Sequence, residues 1–267
     1  MAENVVPHPF VAIREPAVSA GGGVPVVLLH GWASSSAYWD PLAEKLLAAG
    51  MNVWVVDLPG YHPGEILPVG FEWTLDSAAA ALAAALEARH SGQVHVVGHS
   101  LGGSVALTLA ANHPELVATL ALVGMVPAPP NEGFRSMLES QWKQGFIDPE
   151  TKSRCMEAWY GHLSPEDEEL LGRGFNVPFE VLGSSGKAAM TGVEPSVPGR
   201  VHAPVLVLAG TADRLRTLDQ MAAFVKADPR RRLAPIPEAG HSVHWEQPGQ
   251  CAEALREFWS TSWPAPA

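Results

Sequence analysis

The chain has 267 residues, enough for one large α/β unit with an insertion, and 47% of them are hydrophobic, so material for a sizeable core is present. A formal net charge of −11 and the lack of any lysine or arginine stripe argue against a nucleic-acid partner. No apolar run approaches membrane-spanning length, no leader-like segment opens the chain, and Cys155 and Cys251 stand far apart. We therefore expect a cytoplasmic protein with reduced, structural thiols, no membrane partner, no disulfide framework and no metal site.

In chain order, residues 10–15 read as an edge strand and Gly21, Gly22 and Gly23 as a flexible turn. Residues 24–29 are wholly apolar and rich in valine, the pattern of a strand buried on both faces. Residues 41–49 have helical spacing, with Leu42, Leu46 and Leu47 on one side and Gly50 at the end. A strand over 52–57 follows, then an alanine-rich helix over 75–89 that Thr74 or Asp76 could cap. The strand 94–97, the helix 104–111 and the strand 116–124 continue the alternation, which argues for a parallel sheet covered on both faces.

From Pro127, Pro129 and Pro130 to about Pro198 the texture changes. Helical pieces appear at 132–144, 149–160, 165–171 and 179–190, with no buried-strand run. Alternation resumes with a strand at 204–210, a helix at 218–227, a strand at 233–236 and a last helix at 249–259. Arg230-Arg231-Arg232 reads as a solvated turn before a strand, and the Pro-Ala-Pro-Ala end as frayed. The expected fold class is α/β, a mostly parallel doubly wound sheet formed by residues 1–126 and 199–267, with a helical cap at 127–198.

The most specific segment is Gly98-His99-Ser100-Leu101-Gly102, a G-x-S-x-G pattern set between an apolar strand and a helix. A sharp turn there holds the serine oxygen clear of its own backbone, at the positive end of a helix. Serine needs a base, and the base needs an orienting group. Catalytic groups of such sheets gather at the carboxyl ends of strands. Asp213 follows the strand at 204–210 and could orient a histidine or cap the next helix. His241 follows the strand at 233–236, just after Gly240. His244, one helical turn on, competes for the base role, with His241 preferred. Ser100, Asp213 and His241 occur in the order serine, acid, histidine.

Together with His30-Gly31-Trp32 and Asp57-Leu58-Pro59-Gly60, each after an apolar strand, these motifs make the chain resemble the α/β-hydrolase superfamily, of the lid-bearing esterase, lactonase and C–C hydrolase kind. The resemblance spans nearly the whole chain. It implies Ser100 as nucleophile, His241 as base and Asp213 as acid, an oxyanion hole from the backbone N–H groups of Trp32 and Leu101, and a cap over the site. It implies no cofactor. The substrate would be a small-molecule ester or lactone, and the protein a monomer or homodimer. The substrate pocket is expected to draw on His30, Trp32, His99, Phe134, Met137, Trp142, Trp159 and His244, with His30 and His99 structural rather than acid–base groups.

Two departures stand out. Tyr61-His62-Pro63-Gly64 replaces the usual continuation of the Asp57 loop and is expected to reshape the pocket. Arg214 and Arg216 flank Leu215 after Asp213, and at least one is expected to be solvated or ion-paired, the alternative being a role towards a substrate carboxylate. The earlier strand ends Val123-Gly124-Met125-Val126 without a carboxylate, which leaves Asp213 as the acid. Other enzymes of the scaffold (C–C hydrolases, thioesterases, amidases, perhydrolases) and a non-enzymatic ligand receptor are the rival readings. Haloalkane dehalogenases and epoxide hydrolases are disfavoured, because they carry aspartate where this chain has Ser100.

Overall fold

The computed structural model describes residues 6–8, 11–15, 23–65, 67–128 and 132–262. The expectations for Phe10, Gly21, Gly22, Pro129, Pro130 and residues 264–267 lie outside the described residues. The elements run β1 (Val6–His8), β2 (Val11–Arg14), β3 (Val26–Leu29), α1 (Asp40–Ala48), β4 (Val53–Asp57), α2 (Leu75–Arg89), β5 (Val94–His99), α3 (Leu101–Asn112) and β6 (Val117–Val123). Then come α4 (Glu132–Gln144), α5 (Pro149–Tyr160), α6 (Pro165–Gly172), α7 (Phe179–Thr191), α8 (Val197–Arg200), β7 (Val205–Gly210), α9 (Leu218–Lys226), β8 (Arg231–Ile236), α10 (Val243–Glu246) and α11 (Pro248–Ser262).

The strands form one sheet in the order β1-β2-β4-β3-β5-β6-β7-β8. β1, β2 and β4 pair antiparallel, and every pairing from β4 to β8 is parallel. Residues on β3 to β7 are buried on both faces, as their largely apolar runs imply. Register sets Leu29 beside Gly98, His99 beside Val123, and Val123 beside Leu208. The carboxyl ends of β3, β5, β6 and β7 therefore lie level, and the loops that leave them share one edge of the sheet.

Local chemistry explains the helix starts. Thr74, not Asp76, caps α2, through a reciprocal capping box with Ser77. Asp148 caps α5, its carboxylate accepting from Thr151 N at 2.7 Å, with Pro149 in the first turn.

Three expectations need correcting. β2 is not an edge strand, because β1 pairs with its outer side. Arg231 is not in a solvated turn. It opens β8, and its guanidinium sits 4.0 Å over the Phe224 ring while donating to the carbonyls of Phe224 and Pro198. The helix after Ser100 begins at Leu101 rather than Ser104, so the serine directly abuts a helix N-terminus.

Helices α4 to α7 form the insertion between β6 and β7. Trp32 Nε1 donates to the Leu182 carbonyl at 2.9 Å, and the Tyr61 hydroxyl lies 2.8 Å from Ser185 Oγ, tying α7 to two loops of the sheet. Tyr61 and His62, expected to reshape the pocket, are not among its lining residues; His62 Nδ1 lies 3.2 Å from Asp57 Oδ2. The expected boundary at 198/199 falls inside α8, which packs on α3. Cys155 and Cys251 are free and buried, and burial pushes both thiols up to about 12. Among the described residues no helix is long and apolar enough to cross a membrane.

Candidate active site

Ser100 occupies the turn between β5 and α3 with φ 50° and ψ −114°. Side chains at Gly98 or Gly102 would run into the Gly102 carbonyl and the Leu29 carbonyl respectively, so the turn can close only with glycine at both positions. The Gly31 backbone runs against the serine, since a Cβ there would lie 3.5 Å from Ser100 Cβ. That contact brings the β3 loop, and with it Trp32, beside the turn that carries Ser100. Leu101 is the first residue of α3, so its N–H has no acceptor within the helix. Among the described residues neither it nor the Trp32 N–H is used elsewhere.

Asp213 and His241 meet across two loops. Asp213 Oδ2 accepts from His241 Nδ1 at 2.9 Å, and its side chain is fully buried. The other oxygen, Oδ1, accepts from the backbone N–H groups of Leu215 at 2.7 Å and Arg216 at 3.0 Å. The carboxylate is thus held by its own loop and presents one oxygen to the imidazole, which leaves His241 Nε2 with its lone pair. Among the described residues Ser100 Oγ makes no direct hydrogen bond to this ring, but both side chains line the same cavity.

Three non-glycine residues have positive φ among the described residues: Ala33 at 52°, Ser100 at 50° and Glu238 at 58°. One lies on each of the three loops that present Trp32, Ser100 and His241. Backbone strain of about 1–3 kcal/mol per residue concentrates where geometry has to be held for a purpose.

A polar scaffold sits behind the imidazole. His99 Nε2 donates to the His241 carbonyl at 3.1 Å, and the Tyr38 hydroxyl lies 2.8 Å from His99 Nδ1 and 3.1 Å from Ser242 Oγ. Burial, reinforced by His241 and His244, pushes His99 well below the usual histidine range, so its neutral ring accepts from Tyr38 while donating to the carbonyl. Glu246 bridges the loop from the other side. Its carboxylate accepts from Gly240 N at 2.8 Å and Ser242 N at 3.1 Å, the two amides that flank His241. Neither Tyr38 nor Glu246 is legible as a site residue in the sequence. The one available signal is the distance from His241 to Glu246, a single helical turn and a half.

The cavity above Ser100 is lined by Trp32, His99, Phe134 and Trp159, as expected, and by Leu101 and His241. It also draws on Tyr38, Met125, Leu138 and Met190, which sequence reasoning did not place there, and on Arg216, for which contact with a substrate carboxylate was one of the two expectations. Four expected lining residues are elsewhere. His30 is fully buried, its Nε2 accepting from Leu58 N at 3.0 Å and its Nδ1 donating to the Gly31 carbonyl at 2.7 Å. His244 is fully buried too, its ring 4.0 Å from Trp39 and 4.1 Å from Tyr38, with no hydrogen-bond partner among the described residues. Met137 and Trp142 lie on α4 outside the lining, which takes Phe134 and Leu138 from that helix instead. Trp142 packs towards Gly183 and Gly186 of α7.

The model of the alpha/beta hydrolase family matches residues 26–254, and the chain belongs to this family. Among curated proteins it is 28% identical to a pimeloyl-[acyl-carrier protein] methyl ester esterase of Nitrosomonas europaea, over 89% of this chain and 97% of that protein. It is 26% identical to a 2-hydroxy-6-oxo-6-phenylhexa-2,4-dienoate hydrolase of Burkholderia cepacia, over 89% of this chain and 91% of that protein. Among solved structures, a thermophilic esterase from Thermogutta terrifontis superposes with a TM-score of 0.80 at 24% identity, over 94% of this chain and 93% of that one. At such identity the superposition speaks for the fold.

Proposed function

We propose that this chain is a serine hydrolase that cleaves a carboxylic ester or lactone through an acyl-enzyme. The observation that carries this reading is the hydrogen bond from His241 Nδ1 to the buried Asp213, in a cavity shared with the strained Ser100. Ser100 Oγ attacks the carbonyl carbon as His241 Nε2 takes its proton. Charge then grows on the carbonyl oxygen, where the Trp32 and Leu101 N–H groups donate to it. One such donor is worth about 10²–10³ in turnover, and the base about 10²–10⁴. The carbon–oxygen bond to the alcohol breaks as His241 returns the proton to the leaving oxygen. Water, deprotonated by the same imidazole, then releases the acid and restores Ser100. Hydrogen bonds between base and nucleophile commonly tighten only once substrate is bound. The helices α4 to α7 serve as the cap that excludes bulk water from this step.

Similarity to a methyl ester esterase supports the ester reading. Similarity to a dienoate hydrolase supports a second, carbon–carbon bond hydrolysis by the same three side chains. Labelling with a fluorophosphonate tests both, since wild-type protein takes up one label at Ser100 and Ser100→Ala takes up none. Equal labelling of the two proteins overturns the nucleophile assignment. A burst of p-nitrophenol from activated esters, with no cleavage of vinylogous diketones, selects the ester reading over its rival.

A further inference from the structure

Trp32 supplies one of the two proposed oxyanion donors, and hydrogen bonds fix the peptide unit on each side of it. The first unit joins Gly31 to Trp32. His30 Nε2 accepts from Leu58 N at 3.0 Å, so the ring proton sits on Nδ1, which donates to the Gly31 carbonyl at 2.7 Å. In a trans peptide the C=O and the N–H of one unit point opposite ways. A carbonyl drawn towards buried His30 therefore turns the Trp32 N–H away from it, to the cavity that Gly31 and Trp32 line. The second unit joins Trp32 to Ala33. Ala33 N donates to the Tyr61 hydroxyl at 3.3 Å, and Ala33 stands at φ 52°, a backbone state alanine holds only when its surroundings impose it. Only the φ and ψ of Trp32 lie between the two units, so fixing both fixes the aim of the N–H.

Tyr61 is itself held by the inserted helix α7. Ser185 Oγ donates to the Val181 carbonyl at 2.6 Å. Across the 2.8 Å contact between them, the Tyr61 hydroxyl is therefore the donor and Ser185 Oγ the acceptor. Burial pushes the phenol up to about 12, so that proton is present in neutral solution. A directed chain runs from Ala33 N–H to Tyr61, from Tyr61 to Ser185 and from Ser185 to Val181, and both side chains in it are buried. The Trp32 ring ends on the same turn of α7, because Nε1 donates to the Leu182 carbonyl at 2.9 Å. Gly174, in the 3-10 turn Arg173–Asn176, also packs on this loop, since a Cβ there would run into the Ala33 carbonyl. We infer that Tyr61 is a positioning residue of the oxyanion hole, and that with Ser185 it transmits the placement of α7 to the Trp32 N–H. The insertion then does more than cover the site, because one of its helices sets the aim of a donor at the reacting oxygen. Tyr61 does not line the cavity and acts only through Ala33 and Trp32. The inference rests on the acyl-transfer reading above.

The test uses Tyr61→Phe, Ser185→Ala and, as a control on the same helix, Ser184→Ala, which removes a hydroxyl that donates to the Glu180 carbonyl. Titration with a fluorophosphonate gives the active fraction of each protein. Two quantities are then measured per active molecule: kcat/KM for p-nitrophenyl butyrate, and the affinity for propyl trifluoromethyl ketone, read as protection from the fluorophosphonate. Ser100 Oγ adds to the ketone carbon as its proton passes to His241, leaving an oxyanion in the hole, so this affinity reports the donors without turnover. In Tyr61→Phe both quantities should fall by the same factor, roughly 10- to 100-fold, the range for a misplaced rather than a deleted donor. Ser185→Ala leaves Tyr61 able to accept from Ala33 and should lose less of each. Ser184→Ala should match wild type. A Tyr61→Phe protein with wild-type ketone affinity overturns the inference, because a merely structural role lowers the active fraction and not the affinity. A loss in Ser184→Ala equal to that in Ser185→Ala overturns it as well. If wild-type protein neither takes the label nor hydrolyses the ester, the acyl-transfer reading fails on its own account. Backbone amide signals in NMR spectra then decide the role of Tyr61. Those of Trp32 and Ala33 should move in Tyr61→Phe, and an unmoved Trp32 signal overturns the assignment.

Discussion

The Tyr38 hydroxyl lies 2.8 Å from Nδ1 of His99, a ring whose other nitrogen donates to the backbone carbonyl of His241. A tyrosine from the 3-10 turn at Ser36–Trp39 therefore reaches the loop of the proposed base through a single neutral histidine. Tyr38→Phe keeps the ring and removes the donor. It should lower stability by about 1–3 kcal/mol, the cost of a buried acceptor left unmade. A calorimetric Tm lower by several degrees, together with a reduced kcat at nearly unchanged KM, is the expected result.

Glu246 holds both amides that flank His241, so its carboxylate fixes where the imidazole stands. Glu246→Ala should lower kcat by roughly tenfold, within the range that small misplacements of catalytic groups produce. Glu246→Gln, which keeps one acceptor oxygen, should fall between. Steady-state kinetics on an activated ester separates this from substrate binding, because KM should move little.

Asp213→Asn keeps the shape of the acid but not its charge or its acceptor pair. Turnover should fall by about 10⁴, as when the imidazole is left in the wrong tautomer. His241→Ala should abolish turnover. His244→Ala removes a ring packed between Trp39 and Tyr38, so it should lower Tm yet leave most turnover per folded molecule. Active-site titration supplies the folded fraction. An inactive His244→Ala beside an active His241→Ala would exchange their roles.

Burial pushes His95 down to about 4, and burial likewise lowers His30, His99 and His244. Below about pH 6.5 the unfolded chain takes up protons at these positions while the native protein refuses them. Stability is therefore complete above that pH and drains away as pH falls towards the folded values, with His95 alone contributing about 3 kcal/mol between pH 6.5 and 4. Urea midpoints should drop steeply from pH 7 to 5. His95→Gln, which cannot titrate, should flatten that slope by its share.

Much of the site was legible because each proposed group follows a local signature. The elbow announces itself by glycines on either side of Ser100, and Asp213 and His241 each stand just beyond an apolar strand. The lining was less legible. Helical spacing marks Phe134, Met137, Leu138 and Trp142 as apolar positions of α4, but packing against α7 turns Trp142 away and leaves Phe134 and Leu138 on the cavity. The sequence likewise offers no reason to prefer Arg216 over Arg214 as a cavity residue. That choice follows from the turn that Asp213 Oδ1 imposes on the two backbone amides after Leu215 N and Arg216 N bind it.

The order of strands and helices, the elbow and the family follow from the chain itself, because period, glycine placement and capping act over a few residues. Tertiary structure alone decided the rest. Sheet register brought Tyr38, His99 and His241 into one chain of hydrogen bonds and buried His244 behind them. Contacts between residues so far apart depend on how whole elements pack, and no local pattern encodes that.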